Sequence, residues 1–215
     1  APQGQLRIRH ATHVPWQGTV PACHRIVQLQ LAAGVTLRAS LRDAATDRPI
    51  AGATATLTRP GPGPAPPAVH SDADGSVRFA PVGAGAYTLH VQHPHYPGWQ
   101  QPLHLTTRDL EHQARTLAPV ELPPGASVRG QVVDRFGVAA AGMHVRAIAL
   151  NEKTGVRSSA TRDDGRFGLH GLPAGPVRLE VYDDAGTLWH QHTLSLEAGD
   201  TLTDLRLRLV DLRLP

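Results

Sequence analysis

The sequence predicts an all-β protein built from two β-sandwich modules in series, and three observations support this prediction. Two stretches about ninety residues apart carry the same pattern of glycine, aspartate and apolar residues. Within each stretch, apolar residues alternate with polar ones, as they do in strands that have one buried face. Turn-forming residues separate these runs at intervals of about 8–12 residues, a spacing typical of sandwiches.

The repeat keeps a tight register along the chain. Gly34 matches Gly125 at an offset of 91 residues, and from Gly52 and Gly142 onward the offset is 90. A period of this length corresponds to a whole small domain rather than to one repeat of a solenoid. We therefore predict one module over residues 34–124 and a second over residues 125–211.

Alternation also identifies individual strands. Apolar and polar residues alternate over residues 35–41 and 87–91 in the first module and over 177–181 in the second. Such runs predict half-buried antiparallel strands. Only residues 107–117 place apolar side chains at helical spacing, and that segment is short, so we expect little or no helix.

Aspartate and glycine mark turns at matching places in the two modules. Asp43 opens a turn after the first strand, and Asp134 does the same in the second module. Asp74-Gly75 and its second-module counterpart, Asp164-Gly165, each precede another alternating run. Because glycine adopts positive φ without a Cβ clash, these pairs predict β-hairpins. These acidic loops lack the downstream glutamate common in calcium sites, so we interpret them as turns.

The two ends of the chain resemble pieces of further modules. Residues 1–8 align with residues 172–179, so residues 1–33 are interpreted as the C-terminal strands of a preceding module, or alternatively as strands added to the first module. Exposed strand edges favour pairing, and we expect this segment to dock through Ile26, Leu29 and Leu31. Residues 212–215 repeat the form of residues 120–123 and are interpreted as the start of a further module or a tail.

Composition excludes several classes of protein. The formal net charge is only +3, and arginines alternate with acids, so we expect no binding to nucleic acid; Arg206 and Arg208, on one face of the last strand, are the nearest approach to a basic surface. No apolar run approaches the 18 residues of a membrane span. Cys23 is the only cysteine, so no disulfide can form within the chain.

The histidines provide only weak candidates for a metal site. The chain has 13 of them, and imidazoles at alternate strand positions can share one face and bind a transition metal. No thiolate or carboxylate completes a ligand set, so solvated strand positions are the simpler interpretation and we expect no cofactor. The candidates are His90, His93, His95, His190 and His192.

The three tryptophans are candidates for a ligand surface. Trp16, Trp99 and Trp189 occur once per module, and the last two each follow the glycine of an equivalent turn by 14 residues. An exposed indole can stack on a sugar ring, whereas an indole at the same place in every copy also suits a repeated packing role. The second interpretation is favoured, because a repeated packing problem has a repeated solution.

Three motifs in the second module carry a family resemblance. They are Gly130-Gln131-Val132-Val133-Asp134, the run from Thr161 to Phe167, and Leu172-Pro173-Ala174-Gly175. Together they resemble the carboxypeptidase regulatory-like domain, a transthyretin-like (prealbumin-like) sandwich, which implies a seven-stranded Greek-key fold. The metallocarboxypeptidases that gave this domain its name use a His-x-x-Glu zinc pair, and no histidine here has a glutamate three residues later. The resemblance therefore implies the accessory domain and not the peptidase.

These observations predict a protein without catalytic activity. The chain has no His-Glu-x-x-His, Gly-x-Ser-x-Gly or phosphate-binding glycine motif. We expect an array that serves as a spacer, stalk or adhesion segment of a bacterial secreted, cell-surface or periplasmic protein, with neighbouring modules as its partners. The alternative is a carbohydrate-binding or accessory domain of an exported hydrolase, with a glycan or protein ligand at its surface. Homo-oligomers through strand edges would be a further form of association.

Overall fold

The computed structural model describes residues 3–21, 28–61, 65–151 and 156–210. Cys23, Ile26 and the predicted start of a further module at residues 212–215 lie outside these ranges. With 61% of the chain in strands and 3% in helix, the predicted all-β class is confirmed. The chain divides into two compact units, one comprising Ala1–Arg42, Asp47–Val91 and Trp99–Glu121, and the other Asp43–Thr46, Gln92–Gly98 and Leu122–Pro215.

The first sandwich has two sheets. A two-stranded sheet, β1 (Gln3–His10) and β2 (His13–Pro21), precedes it. One sheet of the sandwich has the order β5-β4-β7-β8; in the other, β3 has β6 on one side and β9 and β10 on the other, with β9 parallel to β3. The elements are β3 (Val35–Asp43), β4 (Thr54–Thr58), β5 (Val69–His70), β6 (Ser76–Val82), β7 (Gly85–His93), β8 (Tyr96–Leu105), α1 (Thr107–His112), β9 (Ala114–Thr116) and β10 (Val120–Leu122).

The β1–β2 hairpin belongs to the first unit. The backbone N–H of Val14 donates to Ala32 O at 2.9 Å, and that of Gly34 donates to Thr12 O at 2.9 Å. A Cβ on Gly34 would collide with Pro81 of β6, so glycine permits the close approach of these segments. Leu29 and Leu31, expected to dock this segment, are half-buried.

The second sandwich repeats the first with seven strands. One sheet has the order β14-β11-β17, in which β17 is parallel to β11, and the other has the order β13-β12-β15-β16. Inward-facing residues of both sheets form one core, whose fully buried members include Val128, Leu169 and Leu179. The strands are β11 (Ala126–Val133), β12 (His144–Ala149), β13 (Val156–Ala160), β14 (Arg166–Leu172), β15 (Gly175–Tyr182), β16 (Leu188–Leu196) and β17 (Thr201–Arg208).

The hairpins predicted at the Asp-Gly pairs are wrong. The turn with Gly75 joins β5 to β6, and the turn with Gly165 joins β13 to β14, yet each pair of strands lies in different sheets. Both glycines have the positive φ that the motif predicts, +72° and +71°. Each also lies against the first strand of its sandwich, where a Cβ would collide with Leu41 O or Val132 O. The positive φ of these glycines was therefore predicted correctly, but the partner strands depend on how the sheets pack.

A buried hydroxyl occupies the same place in each sandwich and was not predicted. In the first, Ser71 Oγ donates to Ile50 O at 2.7 Å and accepts from the N–H of Ala53 at 2.9 Å. In the second, Thr161 Oγ1 donates to Ala140 O at 2.9 Å and accepts from the N–H of Met143 at 2.9 Å. Each hydroxyl thus satisfies two backbone groups in the segment that leads into the second strand of its sandwich.

Residues 107–117, the only segment with helical spacing, contain one helix of six residues. The carboxylate of Asp109 accepts from the N–H of Thr106 at 2.7 Å, which caps the first turn. Gln113, with φ of 57°, ends the helix, and β9 follows directly.

Candidate functional site

The three tryptophans are all half-buried, and each lies on a strand. Trp16 is on β2, where it pairs with Ile8 and its ring covers Gly18, and Trp99 is on β8. Among the described residues, no tryptophan ring stacks on another aromatic ring. In the described part of either unit, the indoles are therefore not in ring contact with one another.

Trp189, on β16, has a packing role in the second unit. Its ring packs against the core cluster of that unit, and its Nε1–H donates to Asp183 Oδ2 at 2.9 Å. This hydrogen bond, more than any other contact, holds the pKa of Asp183 below its usual value. The other carboxylate oxygen of Asp183 accepts from the N–H of Thr187 at 2.8 Å, so Asp183 stabilises the turn between β15 and β16.

The candidate histidines fall in three places: His90 by itself, His93 with His95, whose ring centroids are 5.6 Å apart, and His190 with His192. His90, on β7, shares a hydrogen bond of 2.9 Å between its Nε2 and Thr58 Oγ1. The rings of His190 and His192 stack on β16 with centroids 6.4 Å apart, and burial lowers the pKa of His190. In the ranges that the structure describes, no three histidine, cysteine, aspartate or glutamate side chains are placed to share a metal ion.

His93 and His95 lie in a polar cluster of the second unit. The hydroxyl of Tyr96 donates to Asp43 Oδ2 at 2.7 Å, and Arg157 donates to the carbonyl oxygens of Tyr96 at 2.7 Å and His93 at 3.1 Å. Burial, followed by the bond to Asp43, raises the pKa of Tyr96 to about 12. The same bond is the main reason that the pKa of Asp43 is lowered. These contacts fix the loops that carry Asp43, His93 and Tyr96.

Glu180, on β15, is a buried carboxylate with three partners. Arg146 donates to it at 3.1 Å and the hydroxyl of Tyr182 at 2.6 Å. Arg178 Nε lies 2.9 Å from Glu180 Oε1 as an ion pair, although its N–H is not aligned for a hydrogen bond. The bond to Glu180 is the main reason that the pKa of Tyr182 is raised. The carboxylate is thus neutralised by structural partners.

A groove lies on the outer face of the sheet β14-β11-β17 in the second unit. It has a volume of about 810 Å³ and is open to solvent. Gly168 of β14 lies directly opposite Arg129 of β11, and the missing side chain leaves the space. Three further arginines line the groove, namely Arg162 in the preceding turn, Arg166 on β14 and Arg206 on β17. We call this surface the arginine groove.

A β-bulge sets the position of Arg206. Val128 pairs with Leu202 but Gly130 pairs with Leu205, so β17 carries one extra residue between these points. Asp204 adopts a φ of 61° within this interval. A Cβ on Gly130 would collide with Leu205 O, so the bulge also requires glycine on β11. As a result Arg206 lies beside Gln131, on the opposite side from Arg166.

The arginine groove is electropositive. In the described part of the chain, Arg129, Arg162 and Arg206 make no ion pair, while Arg166 lies 3.6 Å from Asp164. His170 also lines the groove, and its pKa is lowered by burial and by the charges of Arg129 and His95. These charges disfavour its protonation, as expected where positive potential prevails.

Sequence analysis found only part of this groove. The spacing of Arg206 and Arg208 indicated one basic strand face, and Arg206 is in the groove. Arg129 and Arg166 gave no signal, because they are far apart in the sequence and meet only when their strands pair. A glycine at an outward strand position, such as Gly168, is the one local signal that could have marked the place.

Comparison with known families identifies the domain in both units. Residues 36–118 and 127–210 each match the carboxypeptidase regulatory-like domain. This confirms the resemblance that the motifs indicated. By sequence, no curated protein matches the chain. Among the described residues, no helix has the length and apolar composition needed to cross a bilayer.

Several solved structures match this chain weakly. A streptococcal ancillary pilin is 15% identical, with a TM-score of 0.39, and the match covers 97% of this chain and 76% of that one. A minor pilin of Streptococcus agalactiae is 14% identical, with a TM-score of 0.41, over 84% of this chain and 99% of that one. A shaft pilin of Lactobacillus rhamnosus GG is 11% identical, with a TM-score of 0.35, over 85% and 99%.

Proposed function

This chain belongs to the carboxypeptidase regulatory-like domain family, and we propose that it is a non-catalytic array of modules that acts as a spacer or stalk. The parent protein would be a bacterial protein that is secreted, periplasmic or exposed at the cell surface. Adhesion, through a glycan or protein ligand, is part of the same proposal. A structural role for Trp189 is supported by the packing of its ring against the core cluster of the second unit and by the bond from its N–H to Asp183.

The observation that carries this proposal is the parallel pairing of the first and last strands of a sandwich. In the second unit β11 and β17 pair from Ser127 with Thr201 to Val133 with Arg208. Because parallel strands run in the same direction, the first strand starts at one end of the unit and the last strand finishes at the opposite end. The chain therefore enters and leaves at opposite ends, as a module in a serial array must.

This pairing also suits a module that resists tension. A force that pulls the two ends apart acts along β11 and β17, so their ladder is sheared and its hydrogen bonds must stretch together. Bonds at both ends extend the ladder, from the N–H of Ser127 to Asp200 O at 2.7 Å and from the N–H of Leu209 to Val133 O at 2.8 Å. A hairpin pulled from one end would instead lose its bonds one at a time.

Single-molecule force spectroscopy on the full chain, held at its two ends, tests the proposal. We expect two unfolding events, one for each unit. Leu209→Pro removes the N–H that donates to Val133 O and should lower the force of one event, because the sheared ladder loses a terminal bond. Leu209→Ala keeps this N–H and is the matched control. An unfolding force that is the same for both variants and the wild type would refute the mechanical role.

The predicted location needs a separate measurement. Protease treatment of intact cells of the source organism, followed by immunoblotting, should degrade the parent protein if it is exposed at the surface. Protection that persists after the outer permeability barrier is opened would contradict any extracytoplasmic location. A periplasmic protein would be degraded only after that barrier is opened.

A further inference from the structure

We propose that the arginine groove of the second unit binds a polysaccharide that carries carboxylate or sulfate groups. This inference rests on the adhesive part of the proposed function and deepens it, because it names the class of glycan and the surface that binds it. It assigns a binding role that neither the motifs nor the family match gives to the residues of this groove. Three features of the groove support it: its charge, the spacing of the arginine positions and the space above Gly168.

The charge of the groove is strongly unbalanced. Among the described residues, four arginines line it, and Asp204 is the only acidic residue that does so. Arg166 is partly neutralised by Asp164, but the side chains of this pair are 74% and 55% exposed, so solvent weakens the attraction. The chain as a whole has a formal net charge of only +3, so positive charge is concentrated here. An anionic ligand would meet this surface without displacing a buried internal partner.

The positions of the charges suit a ligand with several anionic groups. Gln131 on the central strand pairs with both Arg166 and Arg206, so these arginines lie two strand spacings apart, about 10 Å. Arg129 lies on the central strand two residues from Gln131, about 7 Å along it. The three side chains therefore start from positions spread over about 10 Å of the sheet face, which suits a polymer with charges on successive sugars. Guanidinium binds carboxylate and sulfate oxygens through two parallel hydrogen bonds.

The face of a sheet favours a glycan over a peptide or a nucleic acid. The backbone groups of β11 are already paired on both sides, so a peptide lying across the face would find no ladder to join. Phe167 is the only aromatic residue in the lining apart from His170, and at 6% exposure it offers no ring for base stacking. Thr203 and the amide oxygen of Gln131 are polar groups that can bond to sugar hydroxyls.

Gly168 allows the space of the groove to be tested separately from its charge. A Cβ at this position would have only the His170 imidazole, at 3.5 Å, as a neighbour within ordinary contact distance. Gly168→Val should therefore fold, because valine also suits a strand. It would fill the floor opposite Arg129 while leaving every arginine in place.

The experiment measures binding of the full chain at low and physiological salt to heparin and to polygalacturonate, with dextran, duplex DNA and polyglutamate as competitors. We expect binding to one or both acidic polysaccharides that weakens as salt rises. Tighter binding to heparin would identify sulfate as the preferred group, and tighter binding to polygalacturonate would identify carboxylate. The double variant Arg129→Gln/Arg206→Gln and the variant Gly168→Val should each weaken binding at least tenfold, with urea midpoints showing that both are folded.

The first unit provides a control with the same change of charge. Arg38 and Arg78 are exposed, lie opposite each other on β3 and β6, and make no ion pair in the described structure. Arg38→Gln/Arg78→Gln should leave binding within twofold of the wild type. An equal loss in this control would show that only total charge matters, and the proposal would be wrong. Absence of binding at low salt, equal binding to dextran, or tighter binding to DNA or polyglutamate would also overturn it.

Discussion

Replacing Thr161 with valine removes a hydroxyl while keeping the shape of the side chain. Thr161 as a residue is only 7% exposed. Its hydroxyl donates to Ala140 O and accepts from the N–H of Met143, each at 2.9 Å. Valine can neither donate nor accept, so both backbone groups lose their partner. The backbone bond from the N–H of Thr161 to Met143 O, at 2.7 Å, remains, so the chain path should persist.

The expected cost follows from burial of the two orphaned groups. A buried donor or acceptor without a partner costs about 1–3 kcal/mol. The Met143 N–H belongs to a residue that is 8% exposed, so it should suffer most of this penalty, while the half-buried Ala140 can regain water. The added methyl group returns about 0.8 kcal/mol of hydrophobic stabilisation. We expect a net loss of about 2 kcal/mol in the free energy of unfolding, or roughly 10 °C in Tm for a domain of this size.

Urea unfolding followed by circular dichroism, with calorimetry to separate the two units, measures this loss. Thr161→Ser keeps the hydroxyl and should lose no more than the burial of one methyl group. Thr193→Val makes the same chemical change at an exposed position of β16 and should change stability by less than about 0.5 kcal/mol. The reasoning is refuted if Thr161→Val matches Thr193→Val, or if Thr161→Ser is as unstable as Thr161→Val.

Two further predictions concern local contacts in the second unit. The pKa of Tyr96 is raised from 10.0 to about 12, so the folded state holds the phenol proton more tightly than the unfolded state does. The stability that the hydroxyl contributes is therefore complete below pH 10 and is lost as the pH rises towards 12. The difference in unfolding free energy between the wild type and Tyr96→Phe should therefore shrink over that range, and a constant difference would contradict the assignment. Gly165→Ala should destabilise the protein by more than 2 kcal/mol, because its Cβ would meet Val132 O at a positive φ, whereas Gly142→Ala has the same strain with open space around it and should cost about 1 kcal/mol. Equal losses in urea unfolding would show that the collision is relieved.

Periodicity predicted the strands well because it reports a local property. Residues 35–41 and 177–181 lie within β3 and β15, and their apolar members are buried as alternation requires. The same reasoning was wrong for the hairpins at Gly75 and Gly165. Positive φ is encoded by the local sequence, but the choice of partner strand depends on which sheet buries the apolar face, and that choice is made by the whole core.

Prediction of the candidate site was weaker for a related reason. The spacing of Arg206 and Arg208 indicated a basic face on one strand, but its neighbours could not be read from the sequence. Arg206 reaches the groove because β17 pairs with β11 and carries a bulge next to Asp204. Register and bulges depend on pairing between strands about seventy residues apart, which local patterns do not encode.

The repeated module, the all-β class, the turn glycines and the family could be predicted from the sequence, because each depends on residues close together or on a fixed offset between copies. Which distant groups meet depends on the tertiary structure. It brought the Thr161 hydroxyl between two backbone segments and placed arginines from three strands around Gly168. Alternation assigns a residue to one face of a strand. Its neighbours on that face depend on sheet order and register, and both of these depend on the packing of the whole core.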